Sequence, residues 1–305
     1  MSEVKASTNS KTIKIITHNR RFHLDEVIAH ALVEMFYLGS NFQEKTRFNF
    51  KTIRTRDDAV INSFKDDDDA FIIDVGFEYN QDKKLLDHHQ RGFAEKWPDG
   101  KLMSSCGLVW KYLKDKKHLS QKMNQEMITY FEEKLIKRVD DHDNGVATFD
   151  ELFFILMYNR NHDNEDVMTT QYMNAVRVAK EYIYNLLSIY RAEKEKEKIN
   201  KKITSEYNNS PFIIMEKNSH KNKGELAKTI DPTGKILKFI AAPHSKDKFI
   251  VYGVNNAKMP TELRGKKDLV VDGFSLDFCH ANGYMCIINA NKDTLKKFLG
   301  ILTNI

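Results

Sequence analysis

The chain has 305 residues, with 19 Phe and 12 Tyr against only 5 Pro. A chain of that size buries about three quarters of the surface its unfolded form exposes, so it needs no disulfide staple, and its length favours about two domains. Its 48 Lys and Arg against 43 Asp and Glu leave a net charge of +5, and its three cysteines, Cys106, Cys279 and Cys286, are scattered; together these exclude a histone-like basic tail, a disulfide framework and a cysteine-only zinc site, while leaving room for a local phosphate-binding groove.

The polar segment 1–10 contains Glu3 and reads as a frayed tail, not a secretory signal. Residues 11–17, with Ile13, Ile15 and Ile16, read as a strand ending at His18. Leu24, Val27, Ile28, Ala31, Leu32 and Met35 recur at helical spacing, which predicts a helix over 24–38 closed by Gly39 and leaves 18–23 as the strand-to-helix loop. Further strands are expected at 52–55, 70–75 and 84–86, with a short helix at 59–64 and an acidic turn at 66–69. Short apolar strands alternating with helices predict an α/β fold with a mostly parallel sheet flanked by helices. Beyond a turn at 97–100, helices are expected over 104–114 and 126–139, the second delivering residues 140–145 into a turn. A long helix follows over 166–202, its last dozen residues alternating Lys and Glu as a solvated helix or linker. Short β-like runs at 211–215, 236–241, 248–254 and 284–288 then predict a smaller mixed α/β domain. The preferred division is 11–200 and 201–305. No apolar stretch approaches the roughly 18 residues of a membrane span, and with a mean hydropathy of −0.55 no membrane partner is expected and the cytoplasm is the expected location.

Chemistry-bearing residues gather where strands end. His18, His23 and Asp25 fall within eight residues, and in an open α/β sheet Asp74 and His88 would meet them at the carboxyl ends of neighbouring strands. Mixed His and Asp donors fit a first-row divalent ion such as Mn²⁺ or Zn²⁺, and Asp74 is placed to bridge two ions. The alternative is a hydrogen-bonded loop network without metal. Isolated His162 and Asp163 read as ordinary exposed turn residues.

The runs ITHNRRFHLDE, RTRD, IIDVG, LDHHQRGF, MSSCGLVW and VDDHDNG resemble, in order, the motifs of the melanocyte-proliferating gene one protein family, a branch of the DHH phosphoesterase superfamily. The likeness is dense over 14–145 and resumes near 259–266 and 278–284. It implies metal-dependent phosphodiester hydrolysis, a 3′-to-5′ exoribonuclease activity on single-stranded RNA or a short oligonucleotide, Mn²⁺-type dependence with two ions, and a nuclear or mitochondrial location. Carried over by position, His18 and Asp25 resemble metal ligands with His23 as an additional ligand or phosphate contact, Asp74 the shared carboxylate and His88 the metal-binding member of the Asp-His-His run. Asp87 would orient it, His89 would contact a phosphate oxygen or protonate the leaving group, and either Asp140 or Asp143 would supply the remaining carboxylate.

Arg91 joins Asp87 and His89 as a candidate catalytic side chain, and Arg54 and Arg56 have guanidinium forks suited to phosphate oxygens. Arg20 stands where family members commonly carry Gly, so Arg20 and Arg21 would either constrict the site or clamp phosphate. Ser104, Ser105 and Gly107 would line the crevice at a helix start or merely cap that helix. Arg264 and His280 match parts of the family's carboxyl-terminal pattern, although the glycine-rich segment expected after Gly283 is replaced by YMCIINANKDTLKK. A cleft between domains would admit a single strand. Two other functions stay open, a phosphoesterase for small nucleotides and a non-catalytic metal-containing binding module. Oligomeric state is left undetermined.

Overall fold

A computed structural model describes residues 10–37, 47–160, 162–218, 222–271 and 274–304. The expected tail at 1–9 and helix stop at Gly39 lie outside the described residues. Two compact units divide the chain, Met1–Ser188 and Ile189–Ile305.

In the first unit β1 (Ser10–Thr17) leads through the 18–23 loop into α1 (Leu24–Phe36), followed by β2 (Arg47–Arg54), α2 (Asp58–Asn62), β3 (Ala70–Ile73), β4 (Tyr79–Asn80) and β5 (Leu85–Leu86). Its sheet runs β2-β1-β3-β5-β4, with β1 parallel to β2 and β3, β3 parallel to β5, and only β4 antiparallel. All four side chains of β3 are buried, as expected of a central parallel strand covered on both faces. The helices are α3 (Ser105–Asp115), α4 (Gln125–Phe131), α5 (Lys137–Asp143), the short α6 (Phe153–Leu156) and the 42-residue α7 (Glu165–Glu206), within which the division after Ser188 falls. The helical run over 125–143 contains a π-type widened turn at Glu132–Ile136. The expected turn at 140–145 therefore begins later, because α5 carries Asp140 and Asp143 in helical backbone and stops at Asn144, whose amide donates to Asp140 O.

The second unit adds β6 (Phe212–Ile214), α8 (Lys223–Ile230), β7 (Phe239–Ser245), β8 (Lys248–Gly253), β9 (Lys267–Val271), β10 (Phe274–Cys279), β11 (Met285–Asn289) and α9 (Lys292–Thr303). The six strands order as β6-β7-β8-β11-β10-β9, antiparallel except for β6 on β7. One face packs on α9 through Leu295, Phe298, Leu299 and Leu302, the other on α8 through Leu226, Ala227 and Ile230. The strand expected at 236–241 starts only at Phe239, because the Asp231 carboxylate accepts from the amides of Gly234, Ile236 and Leu237 and holds them in a turn. Sequence reading did not anticipate β9, β10, α8 or α9.

Candidate metal centre

Three neighbouring parallel strands, β1, β3 and β5, end side by side, and each hands the chain to a polar residue at its carboxyl end: His18 after Thr17, Asp74 after Ile73, and Asp87 with His88 after Leu86. The chain leads from β1 outward to β2 and from β3 the other way to β5, so the strand order reverses between β1 and β3 and their loops diverge over a crevice. Asp25 reaches the same point from the first turn of α1, and Asp143 from the last turn of α5.

The ligand atoms form three overlapping groups in which all members lie within 4.8 Å of one another: His18, His23 and Asp74; Asp74, His88 and His89; and His23, Asp25 and Asp143. Asp74 and His23 each belong to two of them. His88 Nε2 lies 3.3 Å from Asp74 Oδ1, 3.3 Å from Asp143 Oδ2 and 3.8 Å from Asp25 Oδ2. His18 Nε2 lies 3.3 Å from Asp74 Oδ2 and 2.7 Å from Glu26 Oε2, while His18 Nδ1 meets the Asn19 carbonyl at 3.0 Å. A ring that donates from Nδ1 to that carbonyl presents Nε2 to the centre, the usual second contact of a ligating histidine.

The donor set fits a divalent cation on two grounds. His18 Nε2, His88 Nε2, Asp74 Oδ2 and both oxygens of Asp25 are buried yet make no aligned hydrogen bond; the first three are eased by ion pairs among themselves and with Glu26 and Asp143, whereas a group without a hydrogen bond or a close ion pair, such as the Asp25 carboxylate, ordinarily costs about 1–3 kcal/mol. Five clustered in one place describe a binding site better than a packing defect. The second ground is charge. Burial, followed by the carboxylates of Asp74, Asp143 and Glu26, pushes the Asp25 carboxyl far above its ordinary range. Burial works the same way on Asp74, but the imidazoles of His18 and His88 outweigh it and hold that carboxyl below its usual value. Burial likewise opposes protonation of His18, and Glu26 with Asp74 reverses this, raising the ring to about 10. A proton and a cation thus compete for His18 Nε2. The His23 ring, desolvated by burial, is held below its ordinary value.

Asp87 stands one step behind this cluster. Its Oδ1 accepts from His89 Nδ1 at 2.8 Å and from the His89 amide at 3.1 Å, and its Oδ2 accepts from the Phe77 amide at 2.6 Å. The hydrogen bond between His89 Nδ1 and Asp87 is the leading cause of the raised His89 pKa. The His89 side chain is 46% exposed, so it faces incoming solute.

The geometry separates Asp140 from Asp143. Asp140 accepts from Trp97 Nε1 at 2.6 Å, Ser104 Oγ at 2.6 Å and the Gly107 amide at 2.9 Å, so its carboxylate is occupied and joins none of the three groups. Burial nevertheless raises it to about 6. Ser104 caps α3, its Oγ accepting from the Cys106 amide, and Ser105 Oγ donates to Asp74 Oδ1 at 3.1 Å. Gly107 lies in the first turn of α3, where a backbone N–H lacks a helical partner; the Asp140 carboxylate satisfies it. The α3 amino terminus is thereby fixed beside Asp74.

Arg54 and Arg56 each spend part of the guanidinium on a backbone carbonyl, and Arg54 Nε and Nη1 are buried without a hydrogen bond. Arg54 Nη2 donates to the Arg20 carbonyl at 2.8 Å, and its guanidinium lies 4.5 Å from the Tyr172 ring centroid. Arg56 donates to the Asn19 carbonyl. Both brace the 18–23 loop, as does Asn159, which accepts from the Phe22 amide and donates to the Phe22 carbonyl. Arg20 has φ 65, a left-handed backbone that favours glycine over a residue with a Cβ. Asn19, Arg20, Arg21, His23, Thr55, Arg56 and Asp57 surround a hollow of about 620 Å³, and a second of about 410 Å³ is lined by Arg21, His23, His142 and Asp143 among others. Arg91 is exposed, and His162 Nδ1 accepts from the Asn164 amide in an exposed turn. Arg264 and His280 belong to the second unit, where Arg264 Nε donates to the Met259 carbonyl and the His280 ring lies 4.2 Å from that of Tyr284.

Sequence reading missed Glu26. It is fully buried, its Oε2 accepts from Thr17 Oγ1 at 2.8 Å, and its Oε1 accepts from the His23 amide. The available signal was its place three residues after His23, the spacing at which a carboxylate reaches back to a helix start.

Fold and site together define an α/β protein with a candidate divalent-metal centre of histidines and aspartates at the carboxyl ends of its parallel strands. Residues 14–298 match the sequence model of the MYG1 exonuclease family, described as an uncharacterised protein family, UPF0160, and the chain belongs to that family. A MYG1 protein of Dictyostelium discoideum is 30% identical over 144 residues, covering 45% of this chain and 40% of that protein. A MYG1 protein of Chlamydia pneumoniae is 31% identical over 154 residues (49% and 45%), and the MYG1 exonuclease of Mus musculus 31% identical over 158 (45% and 37%). The aligned part thus spans less than half the length of these relatives. Among the described residues, no helix is long and apolar enough to cross a membrane.

Proposed function

We propose that this chain is a metal-dependent phosphodiesterase of the DHH type, acting as a 3′-to-5′ exoribonuclease on single-stranded RNA with two divalent ions, Mn²⁺ by preference. One observation carries the reading: Asp74 belongs to two of the three ligand groups, and His23 links the third, the arrangement that lets one carboxylate serve two ions. The exonuclease name of the mouse relative supports the reaction class, and direction and RNA preference rest on family resemblance. His18, His23, Asp25, Asp74, His88 and Asp143 would hold the ions. Bound there, they would supply charge neutralisation at the phosphoryl group and acidify water.

The side chains do the rest. Arg20 and Arg21 border the 620 Å³ hollow and would receive phosphate oxygens that the ions leave uncovered. His89, oriented by Asp87 and exposed to solute, would hold the proton delivered to the leaving oxygen. Ser105 keeps Asp74 in register through its 3.1 Å hydrogen bond.

The test is cleavage of end-labelled RNA and DNA with and without Mn²⁺, by the wild type beside Asp74→Asn. The expected result is a stepwise ladder from the 3′ end of RNA that loses at least a hundredfold in rate in the variant. Equal cleavage by both proteins would remove Asp74 from its role, and preference for dinucleotides without a ladder would favour a small-substrate phosphoesterase.

A further inference from the structure

Phe77 is 69% exposed and has φ 53. The left-handed region is crowded for any side chain with a Cβ and is an outlier for a bulky one. Among the ten described non-glycine residues with positive φ, Phe77 is the one aromatic; the others are Asp, Asn, Lys and Arg. Neither local preference explains the residue, since glycine would relieve the backbone and a polar side chain would suit the solvent. An outlier of this kind at a candidate site motivates a functional question.

Its position answers part of that question. Phe77 lies three residues beyond Asp74 in the same turn, which also contains Gly76 at φ 99. Its amide is tied to Asp87 Oδ2 at 2.6 Å, while Oδ1 of the same carboxylate holds His89, whose Nδ1 is 3.4 Å from Asp74 Oδ1. The backbone bearing the ring is therefore built into the candidate centre. A solute suited to such a rim must bring negative charge to histidines, arginines and ions, and a flat apolar face to an exposed aromatic. A nucleotide has both, because every base has a π-face that stacks irrespective of sequence.

We infer that Phe77 is a stacking platform for the nucleobase adjoining the phosphodiester held at the centre, making it a substrate-positioning residue that sets preference for base-bearing substrates. This rests on the phosphodiesterase reading, so the decisive measurement is binding, which does not require turnover. The full chain is titrated, with Ca²⁺ in place of Mn²⁺, against a ten-nucleotide RNA carrying 2-aminopurine at its 3′ terminus and against the same RNA with an abasic 3′ terminus. The wild type and Phe77→Trp should quench the fluorophore. Phe77→Gly should lose the quench and bind the 2-aminopurine RNA about tenfold more weakly, while binding the abasic RNA as the wild type does. Thermal unfolding of Phe77→Gly should be unchanged or raised, since glycine accepts the backbone. An equal loss on both RNAs, binding of the 2-aminopurine RNA by the wild type without a quench, or no RNA binding by the wild type would overturn the inference. So would a wild-type dimer that Phe77→Gly dissociates in sedimentation, because the ring would then belong to a contact between copies. If the base-specific loss appears and the wild type cleaves no phosphodiester with Mn²⁺, the catalytic reading fails and the stacking role stands.

Discussion

Replacing Gly107 by Ala should destabilise the first unit severely through one contact. A Cβ built at Gly107 would fall 2.2 Å from Asp140 Oδ2 and 3.0 Å from its Cγ, closer than real side chains approach. Asp140 is fully buried and anchored by Trp97, Ser104 and the Gly107 amide, so it cannot step aside without breaking what holds it. Overpacking costs about 1–3 kcal/mol, and losing one hydrogen bond to a charged acceptor about 1.5–3 kcal/mol. The sum, roughly 2.5–6 kcal/mol, corresponds to a fall in melting temperature of about 5–24 °C for a unit of this size. The assay is reversible denaturant unfolding of Gly107→Ala, Asp140→Ala and the pair. Removing the carboxylate also removes the clash, so the double variant should lose clearly less than the two single losses added. A Gly107→Ala cost below about 1 kcal/mol, or strict additivity across the cycle, would refute the claim that Asp140 anchors the start of α3.

Two further outcomes follow from the charges. Buried Asp25 ionises against the carboxylates of Asp74 and Asp143, a cost a cation would relieve, and Mn²⁺ at a hundred times its Kd should raise stability by about 2.7 kcal/mol, the mass-action value for a ligand that binds only the folded chain. Asp143→Asn should shrink that gain while leaving the metal-free protein as stable or more so; calorimetry with and without chelator reads both, and an undiminished gain would remove Asp143 from the ligand set. The second outcome concerns acid. Burial alone would raise the Glu34 carboxyl, but hydrogen bonds and charge from His30, then Lys180, hold it down at about 2. A depressed carboxyl contributes stability above its ordinary value of 4.5 and loses it as pH falls towards 2, so Glu34→Gln should be less stable than wild type at pH 7 and converge with it near pH 2. A constant gap across that range would show that the contribution is not electrostatic.

Much of the first unit was legible because its signals are local. Ile13, Ile15 and Ile16 mark β1, and the spacing of Leu24, Val27, Ile28 and Ala31 marks α1. The meeting of His18, Asp74 and His88 followed from a rule about parallel strand ends, although the order β2-β1-β3-β5-β4 is set by crossovers that no local pattern encodes. The carbonyl contacts of Arg54 and Arg56 were not legible. An arginine two residues from another looks the same whether it forks onto phosphate or braces a neighbouring carbonyl, and only tertiary structure shows that both reach back to the 18–23 loop. Asp140 and Asp143 were indistinguishable for a similar reason, since three residues along a helix leave them near one face while the Trp97 indole claims one of them. In the second unit, β9 and β10 carry Lys267, Asp268, Ser275 and Asp277 among their apolar residues, which hid their period.

The widened turn at Glu132–Ile136 also bears on how this centre can change. An α-helix rotates about 100° per residue, so an extra residue absorbed upstream decides which way every side chain of α5 faces. Had the run stayed regular, Asp143 would be turned away from His88 and Asp140 away from the α3 amides. Deleting one residue from that turn would restore a regular helix while swinging Asp143 and Asp140 off their present partners, so the length of the turn, more than its composition, sets which way α5 faces.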